Sequence, residues 1–173
     1  ENPLALMSIA AAYFFRGDHP TALDYAQRAV KFNPSYAFSF FWLSLAQLHS
    51  GDFQQGEESI LKGIELSPAD PNMNHFNATH YFALLGQGRY DEALVAIDKA
   101  LRQHKAGLML GFRAAVLGHL ERGPEAKTAL DRYLALRPNL KTRDDYRRIF
   151  VPNSALADPI IEGLVKAGWE TDE

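Results

Sequence analysis

The stretch GDHPTALDYAQRAVKFNP, residues 17–34, decides the fold, because the chain repeats its plan. GDFQQGEESILKGIELSP fills 51–68, GRYDEALVAIDKALRQHK fills 88–105 and ERGPEAKTALDRYLALRP fills 121–138. Small residues hold the sixth place of each copy: Ala22, Gly56, Ala93 and Ala126, at intervals of 34, 37 and 33 residues. Seven residues after the first three come Ala29, Gly63 and Ala100; twelve after each of the four come Pro34, Pro68, Lys105 and Pro138. A period in this range marks stacked units, none of which can bury its apolar face alone.

Each recurring residue has a physical task. Gly17, Gly51 and Gly88 open the first three copies; glycine takes positive φ without penalty and so ends a first helix. Asp18 and Asp52 follow as N-caps of a second helix, with Gln55 near the place of a capping-box partner. Pro20 falls in a first turn, where its missing N–H costs nothing. The small residues, two turns apart, let a neighbouring helix come close, and Pro34, Pro68 and Pro138 stop the second helix. Between these marks the apolar spacing is helical, as in Ala22, Leu23, Ala26, Ala29 and Val30. The pattern predicts eight helices near 3–16, 20–32, 36–49, 53–66, 72–87, 90–104, 107–121 and 124–136. The third unit carries three extra residues, before its first helix or in its turn, and the fourth has Glu121 where the others have glycine, with Gly123 displaced. Those two units are expected to pack at altered angles.

As a set, these positions resemble the tetratricopeptide repeat family. The matching residues are Tyr13, Ala22, Ala29 and Pro34; Leu43, Gly51 and Pro68; Ala78, Tyr81, Gly88, Tyr90, Ala93 and Ala100; and Ala114, Ala126 and Pro138. The resemblance spans about residues 3–138. It implies an all-α superhelix, a solenoid of about four helical hairpins at 3–36, 37–70, 71–105 and 106–138, with residues 139–173 as a C-terminal helical cap. It also implies that the second, fifth, ninth and twelfth positions of each first helix face a concave surface. These are Leu4, Met7, Ala11 and Phe14; Phe38, Phe41, Leu45 and Leu48; and Leu108, Gly111, Ala115 and Gly118. The insertion leaves two frames in unit three, and His75 and Phe82 face inward in both. The candidate partner groove is therefore Met7, Phe14, Phe38, Phe41, Leu45, Leu48, His75 and Phe82.

Grooves of this family that clamp acidic peptide tails use Lys, Arg and Asn at such positions; this lining is aromatic and aliphatic, which disfavours that role. An exposed apolar face of this size marks an interaction site. The expected occupant is a protein or peptide partner such as an amphipathic helix, a second copy of the chain as a homodimer, or the chain's own tail. The opposing account is that Phe14, Phe15, Phe40, Phe41 and Trp42 fill the interior; Phe40 and Trp42 cannot both point where Phe41 points, so part of this run is core.

After Lys141 the pattern changes. Thr142 caps a short basic helix with Asp144 and Asp145 in its first turn, Pro152 and Asn153 break it, and a last helix follows near 155–167 until Gly168. Trp169 is placed to fold back, and Pro159 requires either a start at Asp158 or a kink. This tail either covers the end of the stack or lies in the groove. Arg147, Arg148, Phe150, Pro152 and Asn153, then Glu162, Gly163, Leu164, Lys166, Ala167 and Gly168, resemble the C-terminal end of repeat regions attached to bacterial class III adenylate/guanylate cyclases and winged-helix regulators. That resemblance implies a regulatory part of a bacterial signalling protein, or a sensory domain governing an attached cyclase or DNA-binding domain.

Composition narrows the chemistry. A net charge of -3 leaves no basic footprint for nucleic acid or an anionic membrane. The absence of cysteine excludes disulfides and thiolate metal sites and fits the cytoplasm. No apolar run is long enough to span a bilayer. The chain opens at Glu1-Asn2-Pro3 without methionine and reads as a piece of a longer protein. There is no phosphate-binding glycine loop, nucleophile elbow or zinc helix motif. Six histidines are scattered, and His75 and His80 are five apart, off the spacing for two ligands on one helix face. Glu57-Glu58 and Asp91-Glu92 read as solvated faces near helix starts. No enzyme activity, metal, cofactor or small-molecule substrate is expected.

Overall fold

The computed structural model describes residues 2–103 and 107–171. Ten α-helices and no strand occur among them: α1 (Pro3–Phe15), α2 (His19–Phe32), α3 (Ala37–His49), α4 (Phe53–Leu66), α5 (Met73–Gly86), α6 (Tyr90–Gln103), α7 (Gly107–His119), α8 (Gly123–Ala135), α9 (Arg143–Ile149) and α10 (Ala157–Lys166). The expected positions His104 and Lys105 lie outside the described residues.

The turns follow the sequence logic. In each hairpin a backbone N–H reaches back across the turn: Asp18 to the Tyr13 carbonyl, Asp52 to Gln47, Arg89 to Leu84 and Arg122 to Leu117. This bond requires a left-handed residue just before the donor. Gly17, Gly51 and Gly88 supply it, and in unit four Glu121 takes it at φ 56°. Asp18 and Asp52 accept from the N–H groups of Thr21 and Gln55, at 3.2 Å each, which satisfies orphan donors of α2 and α4. Unit three's extra residues fall before its first helix and in the helix itself, not in its turn. The connection from α4 to α5 is longer than that from α2 to α3, and α5 is one residue longer than α3.

The hairpins stack. Each second helix packs on its own first helix, and α2, α4 and α6 pack also on the next unit's first helix. The first helices also touch one another, α1 with α3 and α3 with α5, while the second helices make no comparable contact. The stack therefore curves with its first helices inside. The small repeat positions sit where chains approach. A Cβ on Gly56 would strike the Leu48 side chain, and one on Gly63 would come within 2.9 Å of the Phe76 ring. Glu57 is not a solvated residue. Mostly buried, it joins units two and three, accepting from Arg89 at 2.7 Å, Gln87 at 2.7 Å and His80 at 3.2 Å. Burial pulls its pKa up, but these bonds outweigh it and the carboxyl sits below the ordinary value.

The tail does two things. Thr142 and Asp145 form a capping box that starts α9, and Tyr146 and Trp169 are buried at the end of the stack. α10 then packs against the inner side of α7, so the tail is more than an end cap. The helices approach backbone to backbone at Gly118 and Gly163; a Cβ on either would run into main-chain atoms of the other helix. α10 begins at Ala157 rather than at an Asp158 cap, which places Pro159 in the first turn without a kink. Gly168 takes φ 100° and Trp169 N–H bonds the Leu164 carbonyl, closing the helix as the sequence predicts.

Candidate functional site

The inner faces of α1, α3, α5 and α7 and the tail segment 148–152 enclose a groove of about 720 Å³. Six of the eight candidate residues line it: Phe14, Phe38, Phe41, Leu45, His75 and Phe82. Phe38 and Phe41 stack at 5.1 Å, and Phe82 meets Phe112 edge-on at 4.9 Å. Met7 and Leu48 do not line it. Met7 is buried with Leu6 and Ala29 and accepts from the Ser39 hydroxyl, and Leu48 is fully buried beneath Gly56. A helix packed on both sides turns some of its inward-predicted positions into interior ones. Gly111 likewise faces Tyr133 of its own hairpin, and Leu4 is exposed away from the groove. Ala115 and Gly118 do face inward, and α10 covers them. The aromatic run divides as the geometry demands: Phe41 and Trp42 reach the groove, and Phe40 packs toward Gly63.

One end of the groove is closed by the chain itself. Phe150, 8% exposed, lies within 5.6 Å of the His49 ring, stacked, and approaches Phe82 and Phe112 edge-on at 6.2 Å. His19 Nε2 donates to the Pro152 carbonyl at 2.9 Å, Asn153 Nδ2 donates to the Gly17 carbonyl at 3.2 Å, and Ala155 N–H donates to the His49 carbonyl at 3.0 Å. His19 and His49 were not among the candidates, since His19 opens α2, a second helix, and His49 ends α3, so neither fits an inward position. The sequence signal for the tail's place was the pair of small residues Ala115 and Gly118 in unit four, which lie opposite Gly163 where α10 crosses closely.

Charge is sparse. Among the described residues, Arg148, at the rim, is the one charged side chain that lines the groove. Burial, and then the neighbouring His19, push His49 down to about 3. Burial also lowers His19, against the opposing pull of the Pro152 carbonyl and Asp18. Both rings are therefore neutral near neutrality, and the Nδ1 atom of each is buried without a hydrogen-bond partner. No group of His, Asp and Glu able to hold a metal occurs among the described residues. The lining residues offer apolar contact and a few backbone-directed hydrogen bonds, and they place no nucleophile beside a base.

The tetratricopeptide repeat model matches residues 7–71 and 83–140. The chain belongs to the tetratricopeptide repeat family. That places it among binding repeats rather than enzymes. It is 32% identical over 69 residues to small glutamine-rich tetratricopeptide repeat-containing protein 2 of Mycosarcoma maydis, a match covering 40% of this chain and 20% of that protein. It is 36% identical over 64 residues to the heat-shock protein cognate co-chaperone sgt12 of Aspergillus fumigatus, covering 37% and 19%. Each match thus spans about a fifth of the relative's length. Among solved structures, a thermophilic tetratricopeptide protein of Thermus thermophilus superposes with a TM-score of 0.70 at 18% identity, covering 96% of this chain and 90% of that one. Pseudomonas aeruginosa pilF gives 0.66 at 16% identity, covering 98% and 78%. These likenesses are of fold. No helix among the described tetratricopeptide residues is long and apolar enough to cross a membrane.

Proposed function

We propose that this chain is a cytoplasmic protein-interaction module whose concave groove takes an apolar segment of a partner protein. The observation that carries this is the lining: aromatic and aliphatic side chains from four successive first helices around about 720 Å³, with one charged group at the rim among the described residues. Contiguous apolar surface of this kind is favourable to cover. The same lining argues against an acidic-tail receptor, whichever role the name of the co-chaperone relative suggests. Phe38 and Leu108 are half-buried in the groove wall, so they can be changed without hollowing the core. The test is a peptide-display selection against the wild-type chain, with the selected ligands titrated onto Phe38→Glu and Leu108→Glu. Affinity should fall about tenfold or more, as for loss of a contact at an interface centre, with an unchanged melting temperature. Ligands that bind both variants as well as wild type would overturn the reading. Light scattering on the same proteins reports self-association, the homodimer form of the idea.

A second reading rests on the tail residues Arg147, Arg148, Phe150, Pro152 and Asn153 and the Glu162–Gly168 run. In it the module is the regulatory part of a bacterial signalling protein and governs an attached cyclase or DNA-binding domain. The reading frame preceding Glu1 decides it: a frame without either domain removes this version.

A further inference from the structure

Within the reading of the groove as the binding face, the chain's own segment shows what the groove recognises. We propose that the partner presents an extended apolar segment that displaces Phe150–Asn153, setting an aromatic ring against His49 and Phe82 and, two residues on, a backbone carbonyl at His19.

Three observations carry this. The segment from Phe150 to Ala155 has no helix or strand of its own and crosses the inner face in extended and turn conformations. Of the hydrogen bonds that tie it to the first two hairpins, those through the Pro152 carbonyl and the Ala155 N–H use main-chain groups that nearly any residue sequence provides. Recognition therefore rests on shape, on the Phe150 ring and on the Asn153 amide that donates to the Gly17 carbonyl, all of which a partner can copy. The seat is also incompletely satisfied. With the tail in place, His19 Nδ1 and His49 Nδ1 are buried and unpaired. A seat that leaves polar atoms unpaired is held less tightly than a fully bonded one. The groove, finally, runs without interruption from Phe38 to Phe150, and Ile149 beside the seat is 50% exposed. An incoming segment can land on the open part before it takes the occupied part.

The test uses the full chain and a fluorescent peptide of residues 146–155. A competitor held in cis lowers apparent affinity by the fraction of time the seat is open. The Phe150→Ala chain should bind the peptide about tenfold or more tightly than wild type, and the same peptide with alanine for Phe150 should lose that binding. Equal affinity for both chains, no binding to a folded Phe150→Ala chain, or equal binding of the alanine peptide would each overturn displacement. Should Phe150→Ala fail to fold, hydrogen exchange on the wild type serves. The Ala155 amide should exchange through a local opening faster than the α3 and α5 core amides. Exchange of Ala155 only with global unfolding would overturn the proposal. The display selection on Phe38→Glu judges the groove separately, since it succeeds or fails whatever the tail peptide does.

Discussion

His49 is 2% exposed, ringed by Phe14, Phe82, His19 and Phe150, and its pKa is pushed down to about 3 by burial. A histidine held neutral in the fold but free to charge in the unfolded chain links stability to pH. The unfolded state binds the proton first, from the ordinary value of 6.5 downward. Stability from this residue is thus full above 6.5 and declines as pH falls toward about 3. By about pH 5 the loss is about 2 kcal/mol. His19, lowered by the same cause, adds to it in the same direction. Glu57, Glu92, Glu162 and Asp145 all sit below their ordinary values, so they remain charged at that pH and do not mask the effect. Thermal melts at about pH 7 and pH 5 should differ for wild type, and by much less for His49→Leu, which keeps the volume and removes the titrating ring. A pH dependence unchanged by His49→Leu would assign the acid sensitivity elsewhere. Glu121 is a second residue with its own cost, a side chain at φ 56° in the turn where the other units place glycine. Left-handed backbone costs a non-glycine residue about 1 kcal/mol. Glu121→Gly should raise the melting temperature by about 2–4 °C; a lower melting temperature would show that the side chain gains more than the backbone loses.

At the scale of elements, the eight repeat helices were legible because local rules acted together: a left-handed closer, a capping side chain, a small residue at a contact and a proline stop. Where one rule was missing, as at Glu121, the others still fixed the turn, and the Arg122 N–H bonds Leu117 as its counterparts do. The groove was legible in part. Phe14, Phe38, Phe41, Leu45, His75 and Phe82 are brought together as expected, but Met7 and Leu48 are interior, because periodicity gives a helix's apolar side without saying which neighbour covers each residue. The path of the tail was not legible, since a long-range crossing leaves only small residues as its trace. Gly118 and Gly163 are that trace. Gly163→Ala should act as an overpacking change where backbone, not a flexible side chain, must move, at a cost of about 1–3 kcal/mol. Intrinsic propensity works the other way, since alanine is favoured over glycine inside a helix by about 1 kcal/mol. The sign of the measured change therefore decides: destabilisation in a chemical melt confirms that the α7–α10 contact is a backbone contact, and stabilisation would mean the helices can separate freely there.

For the molecule as a whole, the two ends of the solenoid are finished differently. At the C-terminal end, Tyr146 and Trp169 are buried and α10 lies over the inward side of α7. At the other end, α1 runs Pro3–Phe15 without a charged residue, and its Leu4, Ile9 and Phe15 are exposed. A stack that left both ends and its inner face uncovered would present apolar surface on three sides, so the tail's burial of two of them should be necessary for a well-behaved chain. Removing residues 142–173 takes the Phe150 ring from Phe112 and α10 from the Ala115–Gly118 face together. Several large side chains then lose partners, and the cost should be about 3–5 kcal/mol, comparable to emptying one large core site, or roughly 10 °C in melting temperature. The truncated chain should also associate, because its new surface is apolar while the wild-type net charge is only -3. Differential scanning calorimetry and light scattering on the two proteins measure both effects. If the truncated chain melted as wild type does and kept the wild-type association state, four hairpins would be self-sufficient and the tail's role would be confined to occupying the groove.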